Sequence, residues 1–174
     1  MMQLSLMFRI GILTASDAGS RGEREDLSSL VIRELIGPVG EIVVYEMVPD
    51  EREVIADRLR TWADELKLDL ILTTGGTGFS PRDITPEATM DVVDRPAPGI
   101  PEALRAMSYQ KTNRAMLSRG VAGIRKGTLI INMPGSPKAC REYMEFLLPV
   151  LNHGLEILTG KASNCARPDV PDAK

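Results

Sequence analysis

The sequence predicts an α/β fold: a doubly wound, mostly parallel sheet with helices on both faces. Two observations predict it. Short runs that are apolar almost throughout, FRIGILTA (8–15), LDLILT (68–73) and TLIINM (128–133), read as strands buried on both faces. Between them lie segments whose apolar residues recur at helical spacing, so strands and helices alternate as in βαβ units. Right-handed crossovers then bring the strand-to-helix loops to one edge, the carboxyl ends of the strands, where open α/β sheets bind ligands.

Taken in order, the strand at 8–15 is followed by a polar loop, SDAGSRGERED. Leu27, Leu30, Val31 and Leu35 then mark the apolar side of a helix that Gly37-Pro38 stops. EIVVYEMV (41–48) is β-branched and reads as a strand. A second amphipathic helix sets Val54, Ile55, Leu59, Trp62, Ala63 and Leu66 on one side. The strand at 68–73 runs straight into TGGTG. Thr85-Pro86-Glu87 predicts a helix start with threonine as N-cap and proline at the first helical position. Pro96 to Pro101 breaks the chain ahead of a helix at about 102–109. After the strand at 128–133, Ser136-Pro137 opens a long helix toward Thr159, with a kink expected at Pro149.

A length of 174 residues suits one α/β domain, 1–160, with a polar tail at 161–174. The net charge is −3, from 21 basic and 24 acidic side chains, which argues against non-specific nucleic-acid binding. No apolar run approaches the ~18 residues of a membrane span, and MMQLSLMFRI is too short to read as a signal peptide. Cys140 and Cys165 form no CxxC, so a reduced, cytoplasmic protein without a zinc knuckle is expected. The single histidine, His153, lies in a helical pattern, which disfavours Ser-His-Asp and Cys-His catalysis. Carboxylates, backbone N–H groups and a metal ion remain as the chemical inventory.

Four polar motifs follow strands: Thr14-Ala15-Ser16-Asp17, Pro49-Asp50, Gly75–Gly78 and Pro134-Gly135-Ser136. Gly75, Gly76 and Gly78, with Thr77 between, allow successive N–H groups to converge on an anion; a tight turn is the plain alternative. No GK[ST] follows, so this is not a Walker loop. Asp83 suits Mg²⁺, a hard cation that takes oxygen ligands, or else caps a turn beside Arg82. Asp50-Glu51-Arg52-Glu53 fits a capping box, and an N-cap carboxylate at this edge can also serve a metal. Ser136 is a natural N-cap whose helix N-terminus favours phosphate. Arg119, Arg125 and Lys126 read as a solvated basic face, and Cys140, Tyr143, Met144, Leu147 and Leu151 as core.

Taken together, TASD (14–17), VPD (48–50), TTGGTGFSPRDITPEAT (73–89), AMLSR (115–119) and AGIRKGTLIINMPGSPK (122–138) resemble the molybdopterin adenylyltransferases, including the plant and animal G-domains of molybdenum-cofactor synthesis. The likeness runs from about Phe8 to Thr159. It implies a homotrimer that adenylylates molybdopterin from Mg-ATP, releasing pyrophosphate, and hands its product to a molybdenum-insertion protein. By position it implies Asp50 and Asp83 as the carboxylates that organise Mg²⁺ and phosphates, with Gly75, Gly76, Thr77 and Gly78 lining the phosphate region. It implies Ser108 and Ser118 as molybdopterin contacts, and Ser16, Asp17, Pro134, Gly135 and Ser136 as the border of the adenylate. The chain departs from the family pattern at Gly99–Glu102, which leaves that helix start open, and mildly at Ile84 and Ser80. A second reading is a paralogue that holds or passes on molybdopterin without adenylylating it; intact Asp50, Asp83 and the LSR segment count against it.

Overall fold

Strands β1 (Phe8–Ala15), β2 (Gly40–Val48), β3 (Leu70–Thr74), β4 (Arg95–Pro96), β5 (Ala122–Arg125) and β6 (Thr128–Met133) form a sheet in the order β2-β1-β3-β6-β5-β4. The structure, a computed structural model, describes residues 7–161; the expected polar tail, apart from Lys161, and Cys165 lie outside the described residues. The pairs β1–β2, β1–β3 and β3–β6 are parallel. β4 and β5 extend the sheet in antiparallel fashion beyond β6. Neither was legible in the sequence: two residues (RP) and four (AGIR) carry too little apolar pattern to register as strands.

The period of two along each strand divides the core. Ile10, Ile12, Leu70, Leu72, Leu129 and Ile131 face α2 (Leu27–Ile36), α5 (Gly99–Tyr109) and α6 (Pro137–Leu158), where Ile32, Leu104, Met144 and Leu147 meet them. The intervening Leu13, Ile71 and Ile130 face α3 (Arg52–Asp64) and α4 (Thr85–Met90), against Ile55, Leu59, Trp62 and Ala88. Helices therefore cover both faces, as the alternation of elements predicts. The stripe Cys140, Tyr143, Met144, Leu147 and Leu151 is buried. α6 runs on through Pro149, which sits on its exposed side, and no helix among the described residues is long and apolar enough to cross a membrane.

Three expectations are corrected. α2 does not bury Leu27 and Leu30, which stay 49% and 50% exposed; Ser28, Ser29, Ile32 and Ile36 turn inward instead. The rotation follows from the N-cap, because the Asp26 carboxylate is drawn to Thr14 and Tyr45 on the sheet. α4 takes Ile84 at the N-cap position, with Thr85 as its first residue. α5 begins at Gly99, because Pro101 falls within the first turn, where a missing N–H loses no helical bond.

The chain leaves β1 for β2 at the edge and returns across β1 to β3. That reversal opens a crevice at the carboxyl ends of β1 and β3, the usual binding position in open α/β sheets.

Candidate active site at the carboxyl edge of the sheet

A cleft of about 470 Å³ occupies this crevice. Ser16, Asp50, Gly75, Gly76, Asp83, Gly135 and Ser136 line it, so the four strand-end motifs do converge. Gly75 and Gly76 leave β3 with φ of 89° and 66°. A Cβ on Gly75 would lie 2.4 Å from the Ala15 carbonyl oxygen, and one on Gly76 would lie 2.4 Å from Thr85 Oγ1, so only glycine fits either place. Among the described residues, the N–H groups of Gly75, Gly76, Thr77 and Gly78 pair with no backbone carbonyl. They remain donors for an anion.

Asp50 is not the N-cap of α3. That position belongs to Glu51, whose side chain makes no capping bond. Asp50 is turned to the short helix α1 (Asp17–Ser20) instead: its Oδ2 accepts the Asp17 N–H at 2.9 Å, while its own N–H donates to Asp17 Oδ1 at 3.0 Å. A local helix-start signature has been overridden by a partner across the β1–β2 pair. The other carboxylate oxygen, Asp50 Oδ1, is buried and has no hydrogen-bond partner, and the same holds for Thr85 Oγ1. Burial pushes the Asp50 carboxyl above its ordinary value, and the charges of Asp17 and Asp83 add to this. Asp17 shifts the opposite way, because Arg82 donates to both its oxygens at 3.0 and 3.1 Å. Asp83 closes a tight turn, its Oδ2 accepting the Ser80 N–H at 3.0 Å. Ser16 caps α1 through Gly19 N–H at 3.0 Å, and Ser136 caps α6 through Ala139 N–H at 3.4 Å.

The lining includes four carboxylates, Glu25, Asp26, Asp50 and Asp83, and a single cation, Arg24. Asp26 escaped the sequence reading although DLSS is a fair N-cap signature. Its carboxylate accepts from Thr14 Oγ1 at 2.6 Å, Tyr45 OH at 2.5 Å and Ser29 N–H at 3.0 Å. Burial opposes its charge, yet these hydrogen bonds hold it below its ordinary value. Asp26 thus joins β1, β2 and α2 under the cleft floor.

Residues 11–153 match the family model described as "Probable molybdopterin binding domain". Over 156 residues the chain is 44% identical to the molybdopterin adenylyltransferase of Helicobacter pylori, covering 87% of this chain and 88% of that one. This chain belongs to the molybdopterin adenylyltransferase family. A family relative from Escherichia coli is 39% identical over 140 residues, covering 79% of this chain and 72% of that one. Among solved structures, the molybdopterin biosynthesis enzyme MoaB of Thermus thermophilus superposes with a TM-score of 0.84 at 56% identity, covering 88% of this chain and 98% of that one.

Not every residue that the adenylyltransferase resemblance implies lies in the cleft. Thr77 and Gly78 turn away toward Arg119, whose N–H donates to the Thr77 carbonyl at 2.9 Å. Pro134 contributes its carbonyl inward, to Thr74 Oγ1 at 2.7 Å and Cys140 Sγ at 2.8 Å. Ser118 lines a second, much smaller cavity with Arg105, Asn132 and Tyr143. Ser108 is buried on α5. Arg119 and Arg125 are not a solvated face: Arg125 pairs with Asp64 at 2.6 Å and Arg119 with Glu87.

Proposed function

We propose that this cleft adenylylates molybdopterin: the terminal phosphate of molybdopterin attacks the α-phosphate of ATP, a phosphate–phosphate bond forms, and pyrophosphate leaves. The reaction belongs to molybdenum cofactor biosynthesis. The observation that carries this reading is the convergence of Asp50, Asp83 and the unpaired amides of Gly75 and Gly76 on the switch-point cleft of a chain from this family.

The residues suit Mg²⁺. A buried carboxylate oxygen without a partner, Asp50 Oδ1, in an acidic lining is a donor set that favours a cation. Among the described residues no cluster of three or more His, Cys, Asp or Glu forms a metal cage, so the protein would supply few of the ligands and waters and phosphate oxygens would have to supply the rest. Asp50 and Asp83 would hold it, and when bound it neutralises phosphate charge and polarises the reacting phosphorus. The amides of Gly75 and Gly76, which line the cleft, and the N-terminus of α6 at Ser136 receive phosphate oxygens. Ser16 and Gly135 border the adenylate from the cleft wall, while the parts of Asp17 and Pro134 beside the adenylate and of Ser108 and Ser118 toward molybdopterin rest on the family resemblance, since none of the four lines this cleft. No base is needed, because the attacking phosphate is already ionised; positioning and charge stabilisation supply the rate.

Pyrophosphate release from ATP, Mg²⁺ and molybdopterin tests the reading, and its absence with competent molybdopterin defeats it. Asp83→Asn preserves the acceptor for the Ser80 N–H. It should therefore keep its circular dichroism while losing about 100-fold or more in turnover; an unfolded variant would make Asp83 structural. A homotrimer, a cytoplasmic location and hand-over to a molybdenum-insertion protein belong to the same proposal and rest on the family resemblance.

A further inference from the structure

The loop that carries Asp83 has little of its own to hold it. From Gly75 to Ile84 no residue belongs to a helix or strand, and Thr77 is the one buried side chain. Phe79 is 68% exposed. Two arginines anchor the loop: Arg82, within it, pairs with Asp17 and Glu51 on its exposed side, and Arg119, distant in sequence and one-third exposed, holds its backbone. Arg119 Nε donates to the Gly78 carbonyl at 2.8 Å and Nη2 to the Asp83 carbonyl at 2.8 Å. Nη1 pairs with the Glu87 carboxylate on α4. With its backbone N–H on the Thr77 carbonyl, this one residue ties three points of the loop to α4. A planar guanidinium serves several acceptors in fixed directions, which the single ammonium of lysine does not. The segment is itself braced, since Arg105 Nη1 donates to the Gly120 carbonyl at 2.8 Å.

We propose that Arg119 is a positioning residue for adenylyl transfer: it touches no reacting atom but fixes where the Asp83 carboxylate enters the cleft. The proposal rests on the adenylyl-transfer reading above. Wild type, Arg119→Lys and Arg119→Ala are compared by amide hydrogen exchange and by pyrophosphate release from Mg-ATP and molybdopterin. In Arg119→Ala the Ser80 and Asp83 amides should exchange at least about tenfold faster, while β3 and β6 keep their protection. The kcat should fall at least about tenfold with KM for ATP changed less than about threefold, the pattern of a lost transition-state arrangement. Arg119→Lys should recover part of both, and it carries the comparison alone if Arg119→Ala does not fold.

Unchanged exchange at Ser80 and Asp83 overturns the proposal, as does faster exchange with wild-type kcat. Equal loss of protection in β3 and β6 also overturns it, since Arg119 would then be a general stability residue. Wild type that releases no pyrophosphate defeats the adenylyl-transfer reading and with it a catalytic positioning role, whereas an active wild type with an unaffected Arg119→Ala defeats the Arg119 proposal alone.

Discussion

Asp50→Asn separates what the buried carboxylate does to stability from what it does for turnover. In the wild type, Oδ2 has the Asp17 N–H, while Oδ1 is buried without a partner near an equally unpaired Thr85 hydroxyl. Both unpaired oxygens face Gly76, where a Cβ would lie 3.1 Å from Asp50 Oδ1 and 2.4 Å from Thr85 Oγ1. Burial, with the charges of Asp17 and Asp83, raises the folded-state value of Asp50. A raised value means that the native state holds the proton more tightly than the unfolded chain. The associated stability is complete below the unfolded value near 3.8 and is lost as pH rises through the folded value. At pH 7 the ionised group therefore opposes folding. Asparagine keeps the acceptor for Asp17, removes the charge and offers a donor where Oδ1 had no partner. Relieving one unsatisfied buried group amounts to about 1 kcal/mol, or roughly 2–4 °C in Tm for a domain of this size. The variant should thus melt slightly higher than wild type at pH 7, with the difference shrinking toward pH 4. Its pyrophosphate release should fall about 100- to 1,000-fold. Calorimetry at several pH values and the release assay measure the two effects. A Tm lowered by more than about 3 °C, or turnover within threefold of wild type, would refute the reasoning.

Gly75→Ala should destabilise by about 2–3 kcal/mol, read from the urea midpoint, because the new Cβ combines a positive φ with a 2.4 Å approach to the Ala15 carbonyl oxygen. A smaller change than about 1 kcal/mol would mean that the loop rearranges freely. Asp26→Ala loses a helix cap, about 1 kcal/mol, and leaves the Thr14 and Tyr45 hydroxyls without their acceptor, about 1–3 kcal/mol each. Together these amount to about 3–7 kcal/mol, a fall of at least about 6 °C in Tm. Because the folded Asp26 carboxyl is held low, its contribution is present above the unfolded value near 3.8 and is lost as pH falls through the folded value. The gap between variant and wild type should therefore narrow in acid, because only the part that depends on the charge is lost; a gap as wide at pH 2 as at pH 7 would contradict the assignment.

How far the site was legible follows from the range of the forces that build it. The sharp turn of TTGGTG was readable because the backbone conformation that requires glycine is a property of consecutive residues. Ser136 was readable as a cap for the same reason, its acceptor and donor being three residues apart. The capping-box reading of Asp50 fails because a local signature cannot reveal its partner, Asp17, which stands 33 positions away. Asp26 was passed over because Tyr45 and Thr14 reach it only once β1 and β2 are paired.

By itself the sequence determined the doubly wound core, since apolar period and run length declare a buried strand without reference to any distant residue. It also determined the order in which chemistry-bearing loops follow those strands, and the family to which their motifs point. Only the tertiary structure decided that one oxygen of the Asp50 carboxylate is left without a partner, and that Arg119 holds Asp83 across 36 positions of chain. Those are long-range polar contacts, set by how strands and helices pack, and no periodicity along the chain announces them.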